Sequence, residues 1–244
     1  MAISVMQRYE MKYLLNPWQT DLFRRRLEGR MRLDGYGLTS IASLYYDTPS
    51  FRLIRASLDA QEYKEKIRLR SYGPATEQTP VFLELKRKYE GVVYKRRVQS
   101  TVPDVSRFFA GIDTLGSGQI QKELACFRDH YRPLVPVCLV VYDREAYFEP
   151  GGDLRLTIDR CPRYRMEDLT LTGSLDGKPL LDDGWSILEI KVQGALPLWL
   201  SSILSAGEIF KSSFSKYGEA YRREMIRTQP KTIVCAGPEL PGAA

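Results

Sequence analysis

The sequence predicts an α+β fold built on an antiparallel sheet, and two observations predict it. Short segments alternate charged and apolar residues with the period of a strand, and the connections between the central segments are too short to hold a parallel crossover. Lys66, Arg68 and Arg70 occupy alternate positions in KEKIRLRSY, Glu84, Lys86 and Lys88 in VFLELKRK, Lys95 and Arg97 in VVYKRRV, and Glu189 and Lys191 in SILEIKVQ. In a strand these residues project to one face, while Ile67 and Leu69, or Leu83 and Leu85, project to the other. A sheet closed with the charged face inward would be a basic tunnel suited to a polyanion. The same face turned to solvent would be a surface laced with cross-strand ion pairs.

The remaining elements follow in order. QRYEMKYLL reads as the first strand, with Arg8, Glu10 and Lys12 on one face and Tyr9, Met11 and Tyr13 on the other. Asn16 and Pro17 supply the cap and first turn of a helix through WQTDLFRRRLEGRM. Thr39 to Asp47 is a strand ending at the Thr48-Pro49 turn, and Arg52 to Leu58 is a short helix or an irregular segment. The strands holding Arg68, Lys86 and Lys95 are joined by GPATEQTP and YEG and form an antiparallel meander. Residues 104–130 are helical or mixed, broken at Gly116, Ser117 and Gly118. Pro133 and Pro136 introduce a long strand in which Tyr142, Arg144 and Ala146 share a face, and a tip at 150–153 returns the chain so that Arg155, Thr157 and Asp159 fall together. SILEIKVQ leads to a helix with Pro197 near its start, and FKSSFSKYGEAYRREM is helical over most of its length. One domain over 1–229, followed by a flexible tail at 230–244, accounts for the chain.

Composition narrows the function. Lys plus Arg number 36 against 30 Asp plus Glu, an excess of +6 that is modest enough for its arrangement to matter more than its size. Cys126, Cys138, Cys161 and Cys235 are widely separated and His130 stands alone, so the cysteines read as structural thiols and not as metal ligands. No serine-histidine-carboxylate set is available with one histidine, and no GxxxxGK[ST] loop is present, which excludes a P-loop enzyme. Nothing resembles a zinc knuckle, an RNA-binding aromatic strand pair or a basic recognition helix, so no specific nucleic acid is expected. MAISVMQRYEMKYLL lacks the apolar core of a secretory signal, and no segment approaches the roughly 20 apolar residues of a membrane span. A cytoplasmic, reducing location is expected.

The candidate chemistry lies on the charged strand faces. Arg68 and Arg70 are ~6.8 Å apart along a strand, close enough to address neighbouring phosphate groups, and the fork of Arg suits such oxygens. Lys86, Lys95, Arg144 and Lys191 extend that surface. Glu10, Glu84, Asp159 and Glu189 recur on the same faces as either ion-pair partners or ligands of a hard divalent cation, with Glu189 the strongest ligand candidate. Tyr9, Tyr13, Tyr45, Phe82, Tyr94, Phe127, Tyr142 and Trp185 read as core or wall aromatics.

RYEMKY, LYYDTP at 44–49, KIRLRSY at 66–72, FLELKRK followed by VVYKRRV, VVYDREAY at 140–147, LEIK at 188–191 and FSKY at 214–217 succeed one another in an order that resembles the polyphosphate polymerase (VTC) domain family, within the triphosphate tunnel metalloenzymes. The resemblance runs from Gln7 to about Arg227. It implies a closed antiparallel β-barrel tunnel with helices outside and at its ends, in which Mn²⁺ or Mg²⁺ helps hold ATP and inorganic polyphosphate or triphosphate. It also implies transfer of the ATP γ-phosphoryl group to the growing chain with release of ADP; a metal-dependent triphosphatase or a noncatalytic polyphosphate-binding module are the alternatives. Carried onto this sequence, Lys12, Arg68, Arg70, Lys86, Lys95, Arg144 and Lys191, with Glu189, form the catalytic set. Glu10, Lys88, Arg97, Lys211, Ser215, Lys216 and Tyr217 join the substrate-binding surface. Glu189 is the implied principal metal ligand, supported by Glu10, Glu84 and Asp159. RYEMK carries only Glu10 before Lys12, where many tunnel enzymes have two glutamates, which fits the VTC branch.

Overall fold

The computed structural model describes residues 9–90 and 92–228; Arg8 and the residues before it, Gly91, Cys235 and the expected tail at 230–244 lie outside the described residues. Along the chain run β1 (Tyr9–Leu15), α1 (Pro17–Leu27), β2 (Arg32–Leu33), β3 (Thr39–Asp47), α2 (Arg52–Leu58), β4 (Lys64–Tyr72), β5 (Val81–Tyr89), β6 (Val92–Ser100), α3 (Val102–Ala110) and α4 (Gln119–His130). They are followed by β7 (Val135–Phe148), β8 (Arg155–Arg165), β9 (Lys178–Pro179), β10 (Ser186–Val192), α5 (Leu198–Ala206), β11 (Lys211–Ser212) and α6 (Lys216–Thr228).

The strands form one antiparallel sheet in the order β11-β1-β10-β8-β7-β3-β4-β5-β6, with β2 added to β7 and β9 to β8. This path starts at β11 and ends at β6, which do not pair with each other, so the sheet is open and the closed barrel tunnel implied by the resemblance is not formed. Closure needs two edge strands presenting matching runs of backbone groups, and β11 offers two residues against the nine of β6. The sheet nevertheless curls. Lys86 Nζ on β5 lies 3.8 Å from Glu10 Oε2 on β1, although five strands separate them in the order. Side chains, not a backbone ladder, span the gap.

The alternation decides what each face packs against. Ile67, Leu69, Leu83, Leu85 and Leu139 on the outer face bury against Phe108 of α3 and Leu124 and Phe127 of α4. Leu156, Ile158, Leu188 and Ile190 do the same against Phe23 and Leu27 of α1 and Leu200 of α5. Helices thus cover both halves of the convex side. On the concave side Tyr45, Val140 and Tyr142 pack with Ile54 of α2 and Tyr217 and Ala220 of α6, which fills one end.

Local sequence sets the helix starts. Asn16 and Gln19 form a reciprocal capping box at α1, with Pro17 in the first turn. α6 begins later than its apolar pattern suggests, because the Ser215 hydroxyl accepts the Gly218 N–H and its carbonyl accepts the Glu219 N–H. The preceding Lys211 and Ser212 pair with β1 instead.

Candidate functional site

The charged faces of β1, β4, β5, β6, β7, β8 and β10 meet in the concavity, organised around three buried carboxylates. Glu84 is the first. The register sets Arg68, Glu84 and Arg97 directly opposite one another across β4, β5 and β6. Arg68 donates through Nε to Glu84 Oε2 at 2.9 Å, with its Nη2 at 2.8 Å, and Arg70 Nη1 stands 3.7 Å from the same oxygen. Lys95 Nζ lies 2.7 Å from Oε1, a buried oxygen that is ion-paired and has no hydrogen bond among the described residues. Burial alone would raise the Glu84 carboxyl; the charges of Arg68, Arg70 and Lys95 outweigh it and hold the group at about 2.

Asp159 is the second centre, and a backbone irregularity delivers it. The β7–β8 register runs Val141↔Arg163 and then slips to Asp143↔Arg160, so that Arg144 stands opposite Asp159; unslipped, it would face Arg160. Cys161, in the left-handed region at φ 46°, takes up the extra residue. Arg144 then donates twice to Asp159, Nε to Oδ1 at 2.6 Å and Nη2 to Oδ2 at 2.8 Å, and Lys216 at the start of α6 bonds Oδ2. Asp159 has no exposed surface, and burial pushes its carboxyl up, but Lys216 and Arg144 hold it far below the usual range.

Glu189 is the third. Its Oε1 lies 2.6 Å from Lys191 Nζ, and its register partner on β1 is Lys12. Against burial, Lys191, Lys12 and Arg144 lower it to about 2. Glu10, near the rim, pairs with Lys12 at 3.7 Å and with Lys86 at 3.8 Å. Lys86 keeps 46% of its side-chain surface, so water reaches it, while the surrounding wall pushes its ammonium down by desolvation.

The structure therefore brings together Glu10, Lys12, Arg68, Arg70, Glu84, Lys86, Lys95, Arg97, Arg144, Asp159, Glu189, Lys191, Ser215 and Lys216. Three expected residues do not join them. Lys88 stands opposite Lys64 at the exposed end of β5. Lys211 pairs opposite Tyr13, whose side chain belongs to the outer core, and Ser212 takes the position opposite Lys12. Tyr217 is buried with its hydroxyl donated to Asp47. Two wall aromatics contribute more than packing: Tyr45 accepts from Arg68 Nη1 at 3.1 Å and Tyr142 from Arg70 Nη2 at 3.3 Å. Lys66 also enters the site, and its place in the KIRLR alternation was the signal for it.

Among the described residues no three His, Cys, Asp or Glu side chains group as a metal site. A hard divalent ion nevertheless suits the donors around Glu189. Thr157 stands opposite Glu189 in the register, and its buried Oγ1 has no hydrogen-bond partner among the described residues. Such ions are commonly held by one or two carboxylates and completed by substrate phosphates. The protein supplies a partial oxygen set, not a cage.

A curled antiparallel sheet with cations and carboxylates on its inner face defines the class that the sequence resembles, the triphosphate tunnel metalloenzymes, here with the sheet left open. The VTC domain family matches residues 7–224, and the chain belongs to that family. Comparison with curated proteins finds no match. Among solved structures, a "putative adenylate cyclase" from Bacillus halodurans is similar at 14% identity, covering 84% of this chain and 92% of its own, with a TM-score of 0.52. Another of that description from Vibrio parahaemolyticus is 11% identical over 88% of this chain and 97% of its own, with a TM-score of 0.48. At such identity the likeness to the Bacillus halodurans protein is one of fold alone. Among the described residues no helix is long and apolar enough to cross a membrane.

Proposed function

We propose that this chain is an ATP-dependent polyphosphate polymerase, which transfers the ATP γ-phosphoryl group to a growing inorganic polyphosphate chain and releases ADP. The observation that carries this reading is the convergence of Lys12, Arg68, Arg70, Lys86, Lys95, Arg144 and Lys191 on one concave face around Glu84, Asp159 and Glu189. Membership of the VTC domain family supports it.

The chemistry asked of such a face is electrostatic. Two phosphate chains repel each other, and fixed cations offset that repulsion while aligning donor and acceptor. An acceptor terminal oxygen attacks the γ-phosphorus, the bond to the β–γ bridging oxygen breaks, and the electron pair leaves with ADP. The acceptor oxygen is already ionised near neutral pH, so no side-chain base is required. The buried carboxylates keep Arg68, Arg70 and Arg144 in place before substrate arrives. Mg²⁺ or Mn²⁺, held by Glu189 with the Thr157 hydroxyl and supported by Glu10, would supply charge compensation on the transferring group when bound. Glu84 and Asp159 are committed to their arginines and lysines and serve the site as anchors.

The test is incubation with ATP and Mn²⁺ or Mg²⁺, with and without a short polyphosphate primer, resolving ADP, orthophosphate and chain length together. ADP matched by growing polymer is expected. Orthophosphate without growth would make the protein a triphosphatase, and polymer binding without turnover would make it a binding module.

A further inference from the structure

Lys66 stands directly opposite Lys86, and Lys86 directly opposite Lys95, so three lysines line up across β4, β5 and β6. Like charges at directly opposed positions destabilise a sheet, and such a row needs compensation. Lys95 has Glu84 at 2.7 Å and Lys86 has Glu10 at 3.8 Å. Among the described residues Lys66 has no carboxylate within 4.0 Å. Among the described residues its Nζ makes one hydrogen bond, to Ser215 Oγ at 3.3 Å, ahead of α6. The charged and titratable groups around it are Lys12 from β1, Tyr45 from β3, Arg68 on its own strand and Lys86 from β5; Lys216 of α6 is engaged with Asp159. Each of the other cations brought together in the concavity has a carboxylate within 4.0 Å.

We propose that Lys66 is a further substrate-binding residue, the point where a phosphate group of the incoming chain is taken up without displacing a carboxylate. This rests on the reading that the concave face binds a phosphate chain. An anion placed there would face Lys66, Lys12, Lys86 and Arg68 at once and relieve their mutual repulsion. Arg68 and Lys86 must share any such anion with the carboxylates they already hold; Lys66 need not.

The same surroundings make the residue responsive to pH. Burial, reinforced by Lys12, Lys86 and Arg68, pushes the Lys66 ammonium down to about 8. The charged form is the one that binds phosphate, so uptake declines as the pH rises through that value, and bound phosphate holds the proton on. Arginine at the same place would keep its charge throughout.

Calorimetric titration of wild type, Lys66→Met and Lys66→Arg with sodium tripolyphosphate at pH 7 and pH 9 tests the assignment, since titration of the ligand is common to all three. Lys66→Met is expected to bind about tenfold more weakly at pH 7, the scale of one lost charge-assisted contact. Lys66→Arg is expected to stay within about threefold of wild type at pH 7 and to lose less affinity than wild type on going to pH 9. Equal affinities in wild type and Lys66→Met overturn the proposal, as does a Lys66→Arg protein that weakens like Lys66→Met or follows the wild-type pH profile. Absence of binding by wild type at both pH values overturns the phosphate-chain reading beneath it instead.

Discussion

The Tyr217 hydroxyl donates to Asp47 Oδ2 at 3.0 Å, joining the end of β3 to the first turn of α6. Asp47 has no exposed surface, and its carboxylate also accepts the N–H groups of Thr48, Leu53 and Ile54, so one side chain caps α2 and latches α6. The Tyr217 ring stacks on Tyr45 with centroids 4.6 Å apart, and Tyr45 in turn accepts from Arg68. The latch sits beside Ser215 and Lys216, which reach Lys66 and Asp159.

Tyr217→Phe keeps the ring and removes the latch. It is expected to cost about 1 kcal/mol of stability, the net worth of one hydrogen bond, read as a lowered denaturant midpoint with an unchanged slope. Because Lys216 then sits less firmly, KM for ATP should rise by about threefold or more while kcat falls less. A variant with wild-type KM and a lowered midpoint would show that the latch serves the fold alone.

Much of this was legible in the sequence because strand alternation is local. The charged faces of β4, β5, β6 and β10, the Asn16-Pro17 helix start and the break between α3 and α4 all follow from neighbouring residues. Closure of the sheet was not legible, because it depends on whether two edges far apart in the chain present matching lengths of backbone, and β11 has only two residues. The same brevity hid the phase of Lys211, which a one-residue difference turns to the outer face. Asp47 lies within LYYDTP, but its role depends on Tyr217, 170 residues away. Lys66 belongs to the KIRLR alternation, yet only the register shows that it opposes a lysine instead of a carboxylate.

The buried carboxylates predict an acid limit to stability. Glu84 and Glu189 are held near 2 and Asp159 is depressed further, all below the values near 4 of an unfolded chain. A depressed carboxyl stabilises the fold fully above its unfolded value, and that contribution disappears as the pH falls through the folded value. Stability should therefore rise with pH between about 2 and 5 and level off above that range. Glu84→Gln should flatten this slope as well as lower stability at pH 7, where Arg68, Arg70 and Lys95 lose their shared counter-charge. Urea unfolding at half-unit pH steps reads both effects; an unaltered slope in Glu84→Gln would sink the assignment.

Glu189→Gln separates binding from transfer. The substitution removes a carboxylate but no cation, leaving Arg68, Arg70 and Lys95 with Glu84 on the other side of the face. Tripolyphosphate affinity without divalent metal should stay within about threefold or tighten, since a negative charge is lost. ATP turnover under Mg²⁺ or Mn²⁺ should fall by about 100-fold or more, the scale of losing a directly acting group at a charged transition state. Unchanged turnover would sink the assignment of Glu189 as a metal ligand.

Arg68 tests whether the face reads charge or shape. Its guanidinium bonds Glu84 through Nε, reaches Tyr45 through Nη1 and lies in a wall where burial would otherwise favour its neutral form. Lysine retains the charge but cannot make that planar set of contacts. Arg68→Lys should therefore weaken tripolyphosphate binding by about tenfold at low salt, with a salt dependence close to wild type, because the number of charges is conserved. Arg68→Glu would set a second carboxylate directly opposite Glu84 in the β4–β5 register, and binding should fall by at least about 100-fold with a shallower salt dependence. If Arg68→Lys bound as tightly as wild type while Arg68→Glu failed, net charge would be the whole of Arg68's contribution, and the forked contacts with Glu84 and Tyr45 would belong to the wall's stability alone.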